Sequence, residues 1–330
     1  MDFTVGEAVI RVVADERVMG EDSARLAADL LKQAVAGGKR PVMWMMAAPS
    51  GFAFYSTFVE LAAHDDGLQA ILRETQFFQF DDYPVGRGDD RWPITFRHLL
   101  EEHFFGPLER AVGSLGAVHL LELTGGAHDD AVIRAYEAAL QDVLLDDQLF
   151  VLEIKGTGMD GHWGFHGSET PLDAQPGLMC VQMNELNVQQ QMIDWPQYFR
   201  SVEMVPSEAV TANVALFMQA DAIIDLTPQR GKAFAVLACY GRSEPSQLVP
   251  SSQLKRHPNA VSFLTEQAAW ALIAYRQQVV AAGGVDVPLE RSLVDALSSI
   301  WDNPENRELE VNNREKMGSI LSTIFKNQPG

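Results

Sequence analysis

The sequence predicts an α/β fold: a Rossmann-like, mostly parallel sheet with helices on both faces, followed by a helical C-terminal extension. Three observations carry that expectation. Apolar runs bounded by turn residues alternate with stretches of helical period, which is the spacing of βαβ units. Two of the runs, 41–48 (Pro-Val-Met-Trp-Met-Met-Ala-Ala) and 149–154 (Leu-Phe-Val-Leu-Glu-Ile), are apolar at nearly every position. Strands covered on both faces read that way. After about Gly284 the apolar runs stop and polar helical segments take over. The expected division is an α/β domain over 1–284 and a helical extension over 285–330.

In chain order, residues 8–13 (Ala-Val-Ile-Arg-Val-Val) form the first expected strand. Residues 23–36 follow as an amphipathic helix, with Leu26, Leu30 and Ala34 on one face and Gly37-Gly38 as its stop. The strand at 41–48 runs into Pro49-Ser50-Gly51 and a helix over 54–63. A third strand, 76–80, ends on Asp81-Asp82-Tyr83-Pro84. Residues 95–105 read as a helix, 118–121 as a short strand and 129–142 as a helix. The strand at 149–154 then opens into Gly156-Thr157-Gly158-Met159-Asp160-Gly161-His162-Trp163-Gly164. Later come a strand over 222–227, a helix beginning at Lys232 and a strand over 260–264. In the tail, helices at 287–301 and 314–325 flank the polar Asp302-Asn303-Pro304-Glu305-Asn306, and read as a packing or oligomer-contact appendage.

Composition excludes several classes. With 330 residues and 47% hydrophobic content there is material for a large core. No apolar run reaches the roughly 18 residues that span a bilayer, and the N-terminus lacks the basic region of a signal peptide. Cys180 and Cys239 stand alone without metal-type spacing, which suits small apolar filler in a reducing cytoplasm. The formal charge of −20, from 45 acidic and 25 basic residues, argues against nucleic acid and anionic membranes as partners. A small anionic substrate stays compatible, because a local cluster can be positive on an acidic protein.

The chemistry concentrates at two strand ends. Glycines at 156, 158, 161 and 164 let the backbone turn sharply, and that turn carries Asp160 and His162. Asp81 and Asp82 close the third strand. Carboxylates and an imidazole at the carboxyl ends of parallel strands suit a shared cleft and proton transfer. A carboxyl group with a raised pKa takes a proton from carbon beside a carbonyl, and a histidine serves a ring oxygen or a water. His166 follows His162 by four, but a glycine intervenes and no third ligand suggests itself, so no metal site is expected. His64, His98, His103, His119 and His128 read as surface or core histidines.

Taken together, Pro49-Ser50-Gly51, Phe80-Asp81-Asp82-Tyr83, Leu123-Thr124-Gly125-Gly126-Ala127 with Tyr136-Glu137, Gly-x-Gly before Asp160-Gly161-His162, Lys232-Ala233 and 250–260 resemble one family. It is that of glucosamine-6-phosphate deaminase and its relative 6-phosphogluconolactonase, and the resemblance spans roughly residues 8–275. It implies that Asp81 moves a proton between C2 and C1 of an open-chain sugar, with Asp82 beside it. It implies that His162, steered by Asp160, opens the ring in a deaminase or activates water in a lactonase. Lys232, with Ser50 and Gly51, would hold the sugar phosphate, and no cofactor is required. Tyr83 favours the deaminase side, where the lactonases usually carry arginine.

The departures from the family are local. Phe52 and Ala53 stand where the family's phosphate loop has glycine and a hydroxyl residue, and Met192 stands near its phosphate-binding arginine. Gly167 falls on the deaminase relay glutamate, for which Glu169 substitutes only if the loop shifts. Arg200 and Arg230 are the cations left to compensate. The expected function is an aldose–ketose isomerase or deaminase of an amino-sugar phosphate or close analogue. A sugar lactone hydrolase and a non-catalytic sugar-binding effector module are the alternatives. The partner expected is a sugar or sugar phosphate, with homo-oligomerisation left open.

Overall fold

The computed structural model describes residues 1–300 and 307–326. The chain opens with β1 (Asp2–Val5), β2 (Ala8–Val13), α1 (Glu16–Ala36), β3 (Arg40–Met45), α2 (Phe52–Ala63) and α3 (Asp66–Glu74). It continues through β4 (Gln76–Gln79), β5 (Asp81–Asp82), α4 (Phe96–Leu100), α5 (Gly106–Val112), β6 (Val118–His119), α6 (Asp129–Leu145) and β7 (Leu149–Lys155). Then come β8 (Leu178–Gln182), α7 (Glu185–Asp194), β9 (Glu208–Ala212), α8 (Val214–Phe217), β10 (Ala222–Thr227) and α9 (Ala233–Tyr240). The last elements are β11 (Ala260–Thr265), α10 (Glu266–Ala281), α11 (Arg291–Ser299) and α12 (Arg307–Ile324).

An eight-stranded sheet runs β1-β2-β11-β10-β7-β3-β4-β6. Only β1 is antiparallel to its neighbour; the other pairs are parallel. All six residues of β10 are buried, as are the last five of β3, so both faces of the sheet's centre are covered. That is why these runs carry no polar alternation. From β3 the chain steps outward to β4 and β6. It then returns to β7 and steps the other way to β10 and β11. The order therefore reverses between β3 and β7, and a crevice opens at the carboxyl ends of those two strands.

Several expected boundaries move for local reasons. Helix α1 starts seven residues before the expected position, because Asp15 caps it by accepting from the Val18 N–H. Gly20 inside it is a contact point. A Cβ there would lie 2.6 Å from the Ala53 carbonyl oxygen, so α1 and α2 approach closely. The helix expected over 95–105 begins at Phe96 behind a Thr95 cap and passes through a π-helical turn, Glu101–Phe105, into α5.

Asp81 and Asp82 leave the main sheet. As β5 they pair antiparallel with β9, which pairs with β8, in a small three-stranded sheet that sequence reading missed. In the extension, α11 is shorter than expected and α12 starts earlier; Asp302 to Asn306 lie outside the described residues. Helix α12 packs against α7 and α9, and buries Met317, Ile320 and Leu321, with Phe325 just beyond its end. Among the described residues no helix is long and apolar enough to cross a membrane.

Candidate active site

At the crevice between β3 and β7, loops from four strand ends converge. Met46 to Ser50 leave β3, Phe80 and Asp81 leave β4, Gly156 to Gly158 leave β7, and Lys232 follows β10. Helix α7 closes the other side with Gln190, Gln191 and Asp194. The space between these walls, counted together with the solvent at its open mouth, is about 540 Å³.

His162 owes its position to the glycines around it. Gly161 (φ +83°) and Gly164 (φ +58°) take left-handed backbone that side chains disfavour, and the Gly158 N–H donates to the His162 carbonyl. Asp160 accepts from His162 Nδ1 at 2.6 Å and from the His162 N–H at 3.1 Å. Burial pushes the Asp160 carboxyl upward, yet the His162 charge and hydrogen bonds, with the more distant charge of Lys316 on α12, hold it below the usual range. A carboxylate on Nδ1 fixes the tautomer that leaves Nε2 free to act on a ligand. The Asn187 amide of α7 lies 3.0 Å from the same Nδ1.

The imidazole rests directly on Gly158. A Cβ at Gly158 would fall 2.1 Å from His162 Cε1 and Nε2. Gly158→Ala is therefore expected to rotate the ring off Asp160, and to cost about 10²-fold in turnover while the fold survives. Unchanged steady-state kinetics in a folded Ala variant would show that the ring's seat does not matter.

Asp81 lines the cleft, almost fully buried. Burial first, and the adjacent charge of Asp82 second, raise its affinity for a proton well above that of an ordinary carboxyl. Among the described residues no hydrogen bond engages its carboxyl group. A carboxyl group in that state has the chemistry to exchange a proton with a bound ligand.

Asp82, expected beside it as a ligand-binding group, points elsewhere. Its oxygens accept from the N–H groups of Tyr83, Phe96 and Arg97 and from Gln79 Nε2, so it anchors the first turn of α4. Burial pushes it up to about 6, held back mainly by the Arg97 guanidinium. Alternation along β5 sends neighbouring side chains to opposite faces, which separates the two aspartates.

Two other expected binding residues stay outside the cleft lining. Gly51 is buried under the Tyr55 ring, where a Cβ would meet Tyr55 Cζ at 2.6 Å. Glu169 binds Asn184 Nδ2 at 2.9 Å and Ser168 Oγ at 3.1 Å, so it braces the cap of α7 and does not replace the relay glutamate. His166 is structural: Nδ1 accepts from the Val214 N–H, Nε2 faces the Thr170 carbonyl, and burial pushes it down to about 4.

The expected binding pair Ser50 and Lys232 does meet in the cleft. Lys232 Nζ donates to Ser50 Oγ at 2.9 Å, and Ser50 donates to Gln229 Oε1. Burial lowers the lysine's pKa, and the charge of Asp194 acts against that. Arg200 and Arg230 do not compensate for the missing arginine. Both are exposed, neither lines the cleft, and Arg230 lies over Trp270.

Sequence reading missed the contribution of α7. Gln190, Gln191 and Asp194 line the cleft, Asn187 faces His162, and Gln190 Oε1 ties the helix to the glycine-rich loop by accepting from the Met159 N–H. It also missed the support beneath His162. Lys155, wholly buried, donates to Asp225, Thr157 and Ser251, and Ser251 Oγ donates to the His162 carbonyl.

A cleft at a strand-order reversal thus brings together an unengaged buried carboxyl and a carboxylate-paired histidine, the kinds of group that proton transfer on a small polar ligand requires. No family model matches the chain. Curated relatives are glucosamine-6-phosphate deaminases. The protein from Cutibacterium acnes is 26% identical over 261 residues, covering 78% of this chain and 90% of the relative. That from Streptococcus pneumoniae is 24% identical over 253 residues, covering 76% and 94%. Among solved structures, a monomeric glucosamine-6-phosphate deaminase superposes with a TM-score of 0.64 at 19% identity, over 79% of this chain and 98% of the other. The 6-phosphogluconolactonase from Trypanosoma cruzi gives 0.60 at 13%, over 82% and 98%. At this level of identity the chain is similar to these deaminases in sequence, and it shares its fold with the deaminase and lactonase structures.

Proposed function

We propose that this protein is an aldose–ketose isomerase or deaminase acting on an amino sugar, as its phosphate or a close analogue. The observation that carries the reading is Asp81: a buried carboxyl with raised proton affinity, free of protein hydrogen bonds, in one cleft with His162. His162 Nε2 would move the proton that opens the pyranose ring. Asp81 would then take the proton from C2 and, once that proton has exchanged with solvent, deliver one to C1, turning the enolamine into an imine at C2. Water hydrolyses that imine to the ketose and ammonia. The substrate's own carbonyl stabilises the intermediate, so the steps call on side chains alone.

One observation favours lactone hydrolysis as a second reading: the relay carboxylate is missing at Gly167, and Glu169 is engaged outside the cleft. Activation of a water by His162 needs no such carboxylate. The two readings separate in deuterium oxide. Isomerisation or deamination places solvent deuterium on C1 of the ketose, whereas lactone hydrolysis leaves the carbon-bound hydrogens untouched. Ammonia and acid release should be followed across amino sugars and lactones, with and without phosphate. Under the first reading His162→Gln is expected to lose about 10²-fold or more on ring-closed sugar, and to recover partly on an open-chain substrate. Equal losses on both forms would remove His162 from ring opening.

A further inference from the structure

Resting on the amino-sugar reading above, we propose that the cleft takes a sugar whose end remote from the reacting carbons is an uncharged hydroxyl, and that Asp194 excludes a phosphate there. Lys232 lies at the start of α9, a donor wall formed by its ammonium and by Ser50. Asp194 lies at the end of α7, where a carboxylate and the helix's last carbonyls make an acceptor wall. Both side chains line the same cleft and feel each other's charge without forming an ion pair within 4.0 Å.

A hydroxyl group both donates and accepts, so it satisfies an acceptor wall and a donor wall together. A phosphate monoester dianion only accepts. It would use Lys232 and Ser50, and would set its negative charge against Asp194 in a largely dehydrated place. Among the described residues Lys232 is the one lysine or arginine lining the cleft. The aromatic neighbours reinforce this. Trp195 lines the cleft and packs against Phe52 with ring centroids 6.1 Å apart, an apolar wall suited to a sugar's C–H face. Met192 packs on the core and offers no donor.

Equilibrium binding tests this apart from turnover. Glucosamine, glucosamine 6-phosphate and inorganic phosphate are titrated calorimetrically into the full-length protein and into Asp194→Asn at pH 8. Thermal unfolding checks that the variant is folded. The wild type is expected to bind glucosamine more tightly than glucosamine 6-phosphate. Asp194→Asn is expected to gain about tenfold or more for glucosamine 6-phosphate and for inorganic phosphate, since it removes a like-charge contact. Lys232→Met should reverse that gain in the double variant.

Tighter wild-type binding of the phosphorylated sugar, or a variant with no gain for either phosphate probe, overturns the assignment. If neither sugar binds the wild type, the inorganic phosphate comparison decides by the same rule. A protein with this binding pattern that releases no ammonia from any amino sugar loses the deaminase reading and keeps the hydroxyl-terminus assignment. The two failures are therefore distinct.

Discussion

Asp81→Asn is expected to lower kcat by roughly 10²–10⁴-fold, toward the upper end of that range, while leaving sugar binding nearly unchanged. Asparagine keeps the shape and the polarity of the side chain and removes only the ability to take a proton. The adjacent Asp82 cannot stand in for it, because it is committed to Gln79 and to the backbone of Tyr83, Phe96 and Arg97. The pH profile supplies a second reading. Burial and the charge of Asp82 raise the proton affinity of Asp81, so its basic form appears only above the ordinary carboxylate range. Activity should rise with pH through that raised value, and the rising limb should vanish in the variant. Turnover within a factor of about two of wild type would dismiss Asp81 as the base.

Lys155→Met is expected to destabilise the fold by about 3–5 kcal/mol, the range for removing one partner of a buried ion pair. Lys155 and Asp225 are both wholly inaccessible and lie 3.0 Å apart on neighbouring strands. Asp225 also accepts from Thr157, Tyr240 and Ser262, so it cannot swing out to water once the lysine is gone. Lys155 further stacks over the Trp163 ring at 4.6 Å, and Trp163 donates to the buried Glu153. Urea titration at neutral pH reads the effect directly. A loss below about 1 kcal/mol would mean that water reaches Asp225, and that the core is looser than its burial indicates.

How much of the fold and site was legible in the sequence depended on whether a side chain's partners were local. Asp160 and His162 sit two residues apart on one glycine-rich turn, so the spacing placed them at one strand end, and the resemblance supplied their pairing. Lys232 and Ser50 lie far apart in sequence and were joined only by resemblance. Asp81 and Asp82 looked alike as a dipeptide, but strand alternation sends one to the cleft and the other to the start of α4. Helix α7 was the main omission. Its inward face is Asn187, Gln190, Gln191 and Asp194, polar residues that sequence patterning assigns to solvent. The run of three glutamines behind the capping Asn184 reads as a solvent face, yet all three are buried, so no local signal marked them. The second sheet escaped because β8 is half exposed and β5 is two residues long.

The pairing of β2 with β11 also governs how the chain is made. Val9 lies opposite Val261, and Val13 opposite Thr265, so the first strand of the core waits for nearly the last. Ribosomes add about 5–20 residues per second, which leaves one edge of β2 open for roughly 10–50 seconds. Meanwhile β3, β4 and β7 can already associate, and the nascent protein presents two incomplete edges, at β2 and at β7. Both are apolar, with Ala8, Ile10 and Val12 on one and Val151, Leu152 and Ile154 on the other. Unpaired apolar edges are where chains join each other by mistake. The molecule's most vulnerable period is therefore set by its connectivity. It ends only when β10 and β11 arrive together and fill the gap between those edges.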